Sequence, residues 1–476
     1  MVGERPVGTF TNADGAASQL SWVAWWWKGL IKMKACAFNY VQAFLVLQTI
    51  IIMPGIGYIT TGSFNSTKER FMLPTDESVC GLLFDTSDFY QPFDDYPLLK
   101  QYFGNGETHL INNLTEADMY GLCDENFMKG VPYYHLKQFY AYIGSDAPLY
   151  VCFTSDHTEW SAIESMQMAA NGKIFQIGVW TSQLIWNIEN SQVVFTDLLG
   201  NLEAAAEVLC GKVGESSLGS TPLSIVVSPN TALQYSSYLL QDFPDATQLN
   251  FPKVSVCLVQ NGTDEVHKMQ DECPFDTPVG CIGLMMACLY LAYAEESIAY
   301  VDKFNLNKND DFENAEATIG SRYFSVDDIA YTIGNLVAER GYIVPCAYKA
   351  KEAEVFFSGD PTASNGDYNH ISNNRIIHKC RRVIHSAVMP YINSNHVLDQ
   401  ANGGLSESSK SMITSDILDL LDSVMKNPIG QSQIDGRSVE ISDSSKILET
   451  DAITIKSSIG LVSYNAVINE QDDYEV

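Results

Sequence analysis

Apolar residues in this chain gather into short, near-continuous runs: VCGLLF (79–84), LYVCFT (149–154), KIFQIGVW (173–180), LSIVVS (223–228) and VSVCLV (254–259). A strand with one wet face alternates apolar and polar positions, whereas an unbroken apolar run suits a strand covered on both faces. Between the runs, 3.6-residue periodicity predicts helices near 133–143, 158–170, 198–210 and 231–241. The Gly- and Ser-rich stretch GKVGESSLGS that follows 210 reads as a surface loop. A buried helix is expected at about 279–300, after Pro278, and another at 325–339. Strands alternating with helices predict an α/β fold with a mixed or parallel-sheet core domain.

The pattern changes in the last third. From Arg375 to Tyr391 the chain divides at 100° per residue. Ile376, Cys380, Val383, Ile384, Ala387, Val388 and Tyr391 share one face, while Arg375, Lys379, Arg382, His378 and His385 share the other. Pro390 limits the far end. A helix at 414–426 and a strand at 438–442 follow, and the chain closes with the extended segment 452–470 and an acidic tail. These make a second, α+β domain with extended terminal strands. An exposed terminal strand is a liability unless a neighbouring sheet accepts it. Ile453, Ile455, Ile459, Leu461, Val462, Val467 and Ile468 are the apolar positions of this prospective inter-subunit arm.

Residues 1–52 follow no such logic. A tryptophan cluster and basic residues (VAWWWKGLIKMK) precede a mostly apolar run, ACAFNYVQAFLVLQTIIIMPGIG. A signal peptide would need a cleavage site that is missing, and a membrane span is interrupted by Asn39, Gln42 and Gln48. The favoured reading is that translation begins at Met53, leaving 1–52 as a leader of doubtful status. The expected organisation is then an N-terminal arm at 53–70, a body at 71–340, a C-terminal domain at 341–451 and a terminal arm with acidic tail at 452–476.

Composition narrows the function classes. Lys and Arg total 28 against 58 Asp and Glu, a net charge of −30, which argues against nucleic-acid binding. Eleven cysteines occur singly, with no C-x-x-C pair, mostly inside apolar runs; buried free thiols of that kind fit folding in a reducing compartment. No nucleophile elbow, P-loop, G-x-G-x-x-G in context or H-E-x-x-H is present. Asn305, Asn307, Asn309, Asp311 and Glu316 have calcium-loop spacing, but Asp310 stands where that loop needs glycine. The expectation is a non-enzyme with no cofactor, no metal and no small-molecule substrate.

One stretch carries a resemblance. Gly341-Tyr342, Asp360-Pro361-Thr362-Ala363, Asp367-Tyr368, then Ile371, Asn373, Arg375 and Lys379 opening a helix that ends in Pro390-Tyr391, is similar to the C-terminal domain of contractile tail sheath proteins, in a divergent branch. Residues 133–154 and the start MPGIGYITTGS resemble the same family more diffusely. The resemblance implies a structural subunit that polymerises as stacked rings around an inner tube and contracts to drive it through an envelope. Its partners would be other copies, the inner tail tube protein, and baseplate and tail terminator proteins. Its place would be a virion tail or contractile injection particle assembled in the bacterial cytoplasm. In that setting Arg375, Lys379 and Arg382 become a candidate exposed face for the tube. Two alternatives stand: a secreted or membrane-anchored surface protein using 1–52 for targeting, and an enzyme with an unrecognised α/β site.

Overall fold

The five apolar runs become the inner strands of one sheet. The computed structural model describes residues 75–462 and, upstream, the backbone of Phe44–Ile52; its longer breaks are 211–220, 233–242, 330–336, 427–431 and 443–452, with shorter ones between 309 and 402. The sheet comprises β1 (Cys80–Asp85), β2 (His109–Ile111), β3 (Leu149–Thr154), β4 (Gln176–Leu184), β5 (Ser224–Asn230), β6 (Val254–Cys257) and β7 (Tyr342–Ile343), in the spatial order β7-β6-β5-β4-β1-β3-β2. All neighbours are parallel except the edge strand β2, which runs antiparallel to β3. The architecture is α/β with a mixed sheet.

Continuous apolar character is explained by what covers each face. Leu82, Phe84, Val151, Phe153 and Val226 point into one core, with α1 (Val131–Ile143) and α4 (Ile282–Leu291). Leu83, Cys152, Ile177, Val179, Ile225 and Val227 point into the other, with α2 (Ala162–Ala169) and α3 (Leu198–Val208). Each fully buried aliphatic or aromatic side chain contributes roughly 1.5–3 kcal/mol relative to exposure. Gly178 in β4 is where α4 lies closest: a Cβ there would come within 2.6 Å of Ile282 Cγ1.

A third core lies in the C-terminal part of the chain, termed the C-terminal domain below. Two long helices, α5 (Ile371–Val388) and α6 (Glu407–Met425), pack on the antiparallel pair β8 (Ile434–Ile441) and β9 (Ile453–Leu461). Ile413, Ile417, Leu421 and Met425 form one stripe of α6 and meet Ile376, Val383, Ile434, Ile455 and Ile459. Phe44–Ile52 is a strand on the far side of β9. That backbone comes from the apolar run read above as a leader. Among the described residues no helix is long and apolar enough to cross a membrane.

Several boundaries shift. The chain does not leave the body at 341, because β7 extends the main sheet beside β6. The buried helix expected over 279–300 ends at Leu291, and 414–426 is the second half of a helix that starts at Glu407. Ser406 accepts the Ser409 amide and sets that start. The helix expected at 231–241 and the loop after 210 lie almost wholly outside the described residues, as does 325–339 beyond Asp328 and a few residues near its end.

Candidate functional site

The residues that carry the resemblance converge on a seam where α5 crosses beneath the main sheet. In a parallel sheet all strands start at one edge, so that edge presents backbone carbonyls that no preceding turn satisfies. The chain meets them with one face of α5. Asn374 Nδ2 donates to the Pro252 carbonyl at 2.6 Å, just before β6. Arg375 Nη2 donates to the Glu77 carbonyl at 3.0 Å, just before β1. Arg382 donates through Nη1 to Gly172 and through Nη2 to Ile174 at 2.7 Å and Pro222 at 2.9 Å, just before β4 and β5. Its guanidinium also lies 3.9 Å from the Phe175 ring centroid, a cation–π contact.

Arg375 does a second task. Its guanidinium donates to Leu289 and Ala292 carbonyls at 3.0 Å and to Tyr293 at 3.1 Å. Leu289 is in the last turn of α4, and Ala292 and Tyr293 follow its end, where carbonyls lack intrahelical partners. The other end of α4 is capped equally remotely: the Gly283 amide donates to His135 Nδ1 at 3.3 Å. Burial pushes the His135 imidazole down to about 3, so it stays neutral and can accept.

Lys379 forms an ion pair with Glu77 at 2.7 Å, and Gln433, at the root of β8, donates to the same carboxylate at 3.0 Å and to Glu295 at 2.9 Å. Burial raises the Glu77 pKa, but the Lys379 charge and hydrogen bond outweigh it and leave the carboxyl below its usual range. Glu77 thus ties together the start of β1, α5 and the terminal hairpin.

These positions correct the expectation of an exposed cationic face. Arg375 and Arg382 are fully buried, and Lys379 is 7% exposed. His378, placed on the same face, is buried too, and burial together with the Arg381, Lys253 and Arg382 charges holds it well below its usual range. The reason is that α5 is sandwiched: its apolar face meets α6 and β8–β9, and its polar face meets the carbonyl edge of the body. Oriented carbonyl dipoles face the Arg382 guanidinium on the body side, and burial pushes it down to about 9, still protonated at neutral pH.

The loop ahead of α5 orients it. Asp360 is 1% exposed and accepts from the Ser372 amide at 3.0 Å through Oδ2, while Ser297 Oγ donates to its Oδ1 at 3.0 Å. It is an N-terminal cap supplied from eleven residues upstream of α5's first residue rather than from the adjacent position. Thr362 Oγ1 donates to the Tyr368 carbonyl at 2.7 Å, and Ala363 bridges to Phe251 and Val254 through backbone bonds of 2.7 and 2.8 Å. At the far end Tyr391 donates to Asp416 on α6 at 2.7 Å. The motif is a set of clamps that fix the C-terminal domain to the body.

The sequence did not reveal Glu77, Gln433 or Asn374 as part of this site. Spacing shows that Arg375, Lys379 and Arg382 share a face, but not what the face meets. The one available signal was negative: no Asp or Glu falls between Ile371 and Tyr391 to pair locally with so many cations.

In the prospective arm, Ile453, Ile455, Ile459 and Leu461 are buried against the chain's own α5 and α6, and Val462 is half-buried at the strand end. Val467 and Ile468 lie outside the described residues. In the calcium-like segment, Asn305 Oδ1 accepts from the Asn307 and Val355 amides, and Glu316 is held by His267 and Gln260.

No family model matches the sequence, and no curated protein matches it. Among solved structures, a chain of an extracellular contractile injection system, the PVC sheath complex in its contracted state, aligns with TM-score 0.51 and 11% identity, covering 89% of this chain and 99% of that one. A chain of the anti-feeding prophage (AFP) baseplate aligns over 88% of this chain and 100% of that one, with TM-score 0.47 and 9% identity. The protein therefore has the α/β fold of a chain from a contractile sheath complex. The resemblance read from residues 341–394 is borne out at the level of fold.

Proposed function

We propose that this protein is the structural subunit of a contractile sheath, which polymerises around an inner tube and shortens to drive it through a target envelope. What carries the reading is a fold shared over 89% of this chain with a chain of a contractile sheath complex. The clamp at α5 supports it: a subunit that transmits force needs its two domains joined by more than a linker. Its partners are other copies, a tube protein, and the baseplate and terminator components at the polymer ends, and its place is the particle itself, assembled in the bacterial cytoplasm.

The hairpin β8–β9 is the element offered to neighbours. Ile453, Ile455, Ile459 and Leu461 pack on α5 and α6 of their own chain here. A strand from another copy could take the same place with the same backbone bonds, each worth roughly 0.5–1.5 kcal/mol net. Repeated along a lattice, links of that size hold a polymer together.

The test is negative-stain microscopy of the full chain, and of the chain begun at Met53, each alone and with the tube protein encoded nearby. Hollow cylinders or stacked rings are expected. A monodisperse monomer in all four preparations would end the sheath reading.

A further inference from the structure

At the opposite end of the sheet from α5, the turn Cys273–Thr277 holds Phe275 out in water. Phe275 is 70% exposed. Its φ is +56° and that of Asp276 is +53°, a region that residues with side chains rarely occupy. Buried side chains hold the turn from behind. Asn230, the last residue of β5, donates through Nδ2 to the Phe275 carbonyl at 3.3 Å and to Thr277 Oγ1 at 3.1 Å. Gln270 Nε2 donates to the Asp276 carbonyl at 3.1 Å. Asn230 and Thr277 are fully buried and Gln270 is 5% exposed.

The same surface presents Tyr323, 44% exposed, with its ring 4.6 Å from that of His267. The carboxylates of Asp271 and Asp276 are close enough to add to the effect of burial in raising its hydroxyl pKa. A strained backbone, braced by three buried polar groups, thus keeps an aromatic ring largely in solvent. Rigid, pre-placed aromatics are what binding surfaces use as anchors, because little side-chain entropy remains to be lost on association.

We propose that Phe275, with Tyr323, anchors a docking surface for a different protein that carries Lys or Arg around an apolar socket. Charge selects that occupant. The helix Asp264–Glu272 beside the turn exposes Asp264, Glu265, Asp271 and Glu272 against Lys268 alone. Lys129 and Arg322 offset this only in part. A second copy is a poor match, since the chain carries a net charge of −30. Five of its 28 cations are engaged elsewhere: Arg375 and Arg382 are buried, and Lys253, Lys303 and Lys379 are paired with carboxylates.

The test places p-benzoylphenylalanine at position 275 of the full chain, expressed in its native cells and irradiated before lysis. The expected result is a cross-link to one peptide of another protein, with Lys or Arg flanking apolar residues. That purified protein should bind the full chain at least tenfold more weakly after Phe275→Ala. Phe275→Gly should lose binding equally while leaving the melting temperature unchanged or raised, because glycine relieves the backbone. A cross-link to a second copy, no cross-link, or binding indifferent to Phe275→Ala would overturn the proposal. Cylinder formation is scored separately on Phe275→Ala, so failure here leaves the sheath reading standing, and the converse holds.

Discussion

Arg382 is the residue on which the seam depends most. It is buried, and its guanidinium serves three carbonyls at once while lying over the Phe175 ring. A planar fork with five donors can do this; an ammonium cannot reach all three at the required angles. Arg382→Met keeps volume but takes the donor away from the buried Gly172 and Pro222 carbonyls and leaves the Ile174 carbonyl to Gln167 alone, at about 1–3 kcal/mol for each buried group left without a partner. The expected cost is about 3–5 kcal/mol in urea unfolding, near the cost of breaking a buried charged pair. Arg382→Lys should fall between Met and the native chain. If Arg382→Met matched native stability, the carbonyls would have to be satisfied in some other way, and the clamp would be incidental. Replacing Lys379 differs in kind, because it strands the Glu77 carboxylate and loosens the contact through which Gln433 reaches β8.

At the level of elements, α4 shows how a helix can be buried all round. IGLMMACLYL offers no polar face, and its two ends are served by His135 and Arg375, which stand 148 and 86 positions away from Gly283 and Leu289. Such burial demands close approach to α1. A Cβ on Gly283 would lie 2.1 Å from the His135 carbonyl oxygen, so Gly283→Ala must push the helices apart. Overpacking of this kind costs about 1–3 kcal/mol. Thermal unfolding should show it as a fall of several degrees, whereas Gly144→Ala, where nothing lies within 4 Å but φ is +73°, would report backbone strain alone. These elements also mark what sequence could and could not disclose. The strands were legible because burial on both faces leaves an unbroken apolar run, and β1, β3, β4 and β5 lie where those runs fall. The extent of α5 was nearly legible from its period. Its environment was not, because a polar face suited to carbonyls looks the same along the chain as one suited to water. The remote cap from Asp360 and the placement of Glu77 are long-range contacts that no local window contains.

For the whole molecule, the question is whether body and C-terminal domain unfold as one. The seam joins them through Asn374, Arg375, Lys379 and Arg382, with the ends of four parallel strands on one side and a separate apolar core on the other. Acid is a clean probe, because neutral histidines are buried on both sides of that boundary. His135 lies in the body with its pKa down to about 3, and His378 lies on α5, held well below its usual value by burial and neighbouring cations. Both folded pKa values are depressed, so below about pH 6.5 the unfolded chain binds protons that the folded chain refuses, and stability falls as pH falls. For His135 the loss is about 1.4 kcal/mol per pH unit below that point, and His378 and His385, both lowered by burial, add to it in the same direction. Glu77 acts in a lower window: its contribution is present above about pH 4.5 and declines as pH drops through its depressed folded value. Urea unfolding at pH 7 and pH 5 should therefore show a single transition whose midpoint falls with acid, and His378→Gln should reduce that pH dependence. Two separate transitions, with only the C-terminal one responding to His378→Gln, would mean the domains are hinged rather than clamped. On the sheath reading proposed above, such a subunit would pass force across its seam only when neighbours held it shut.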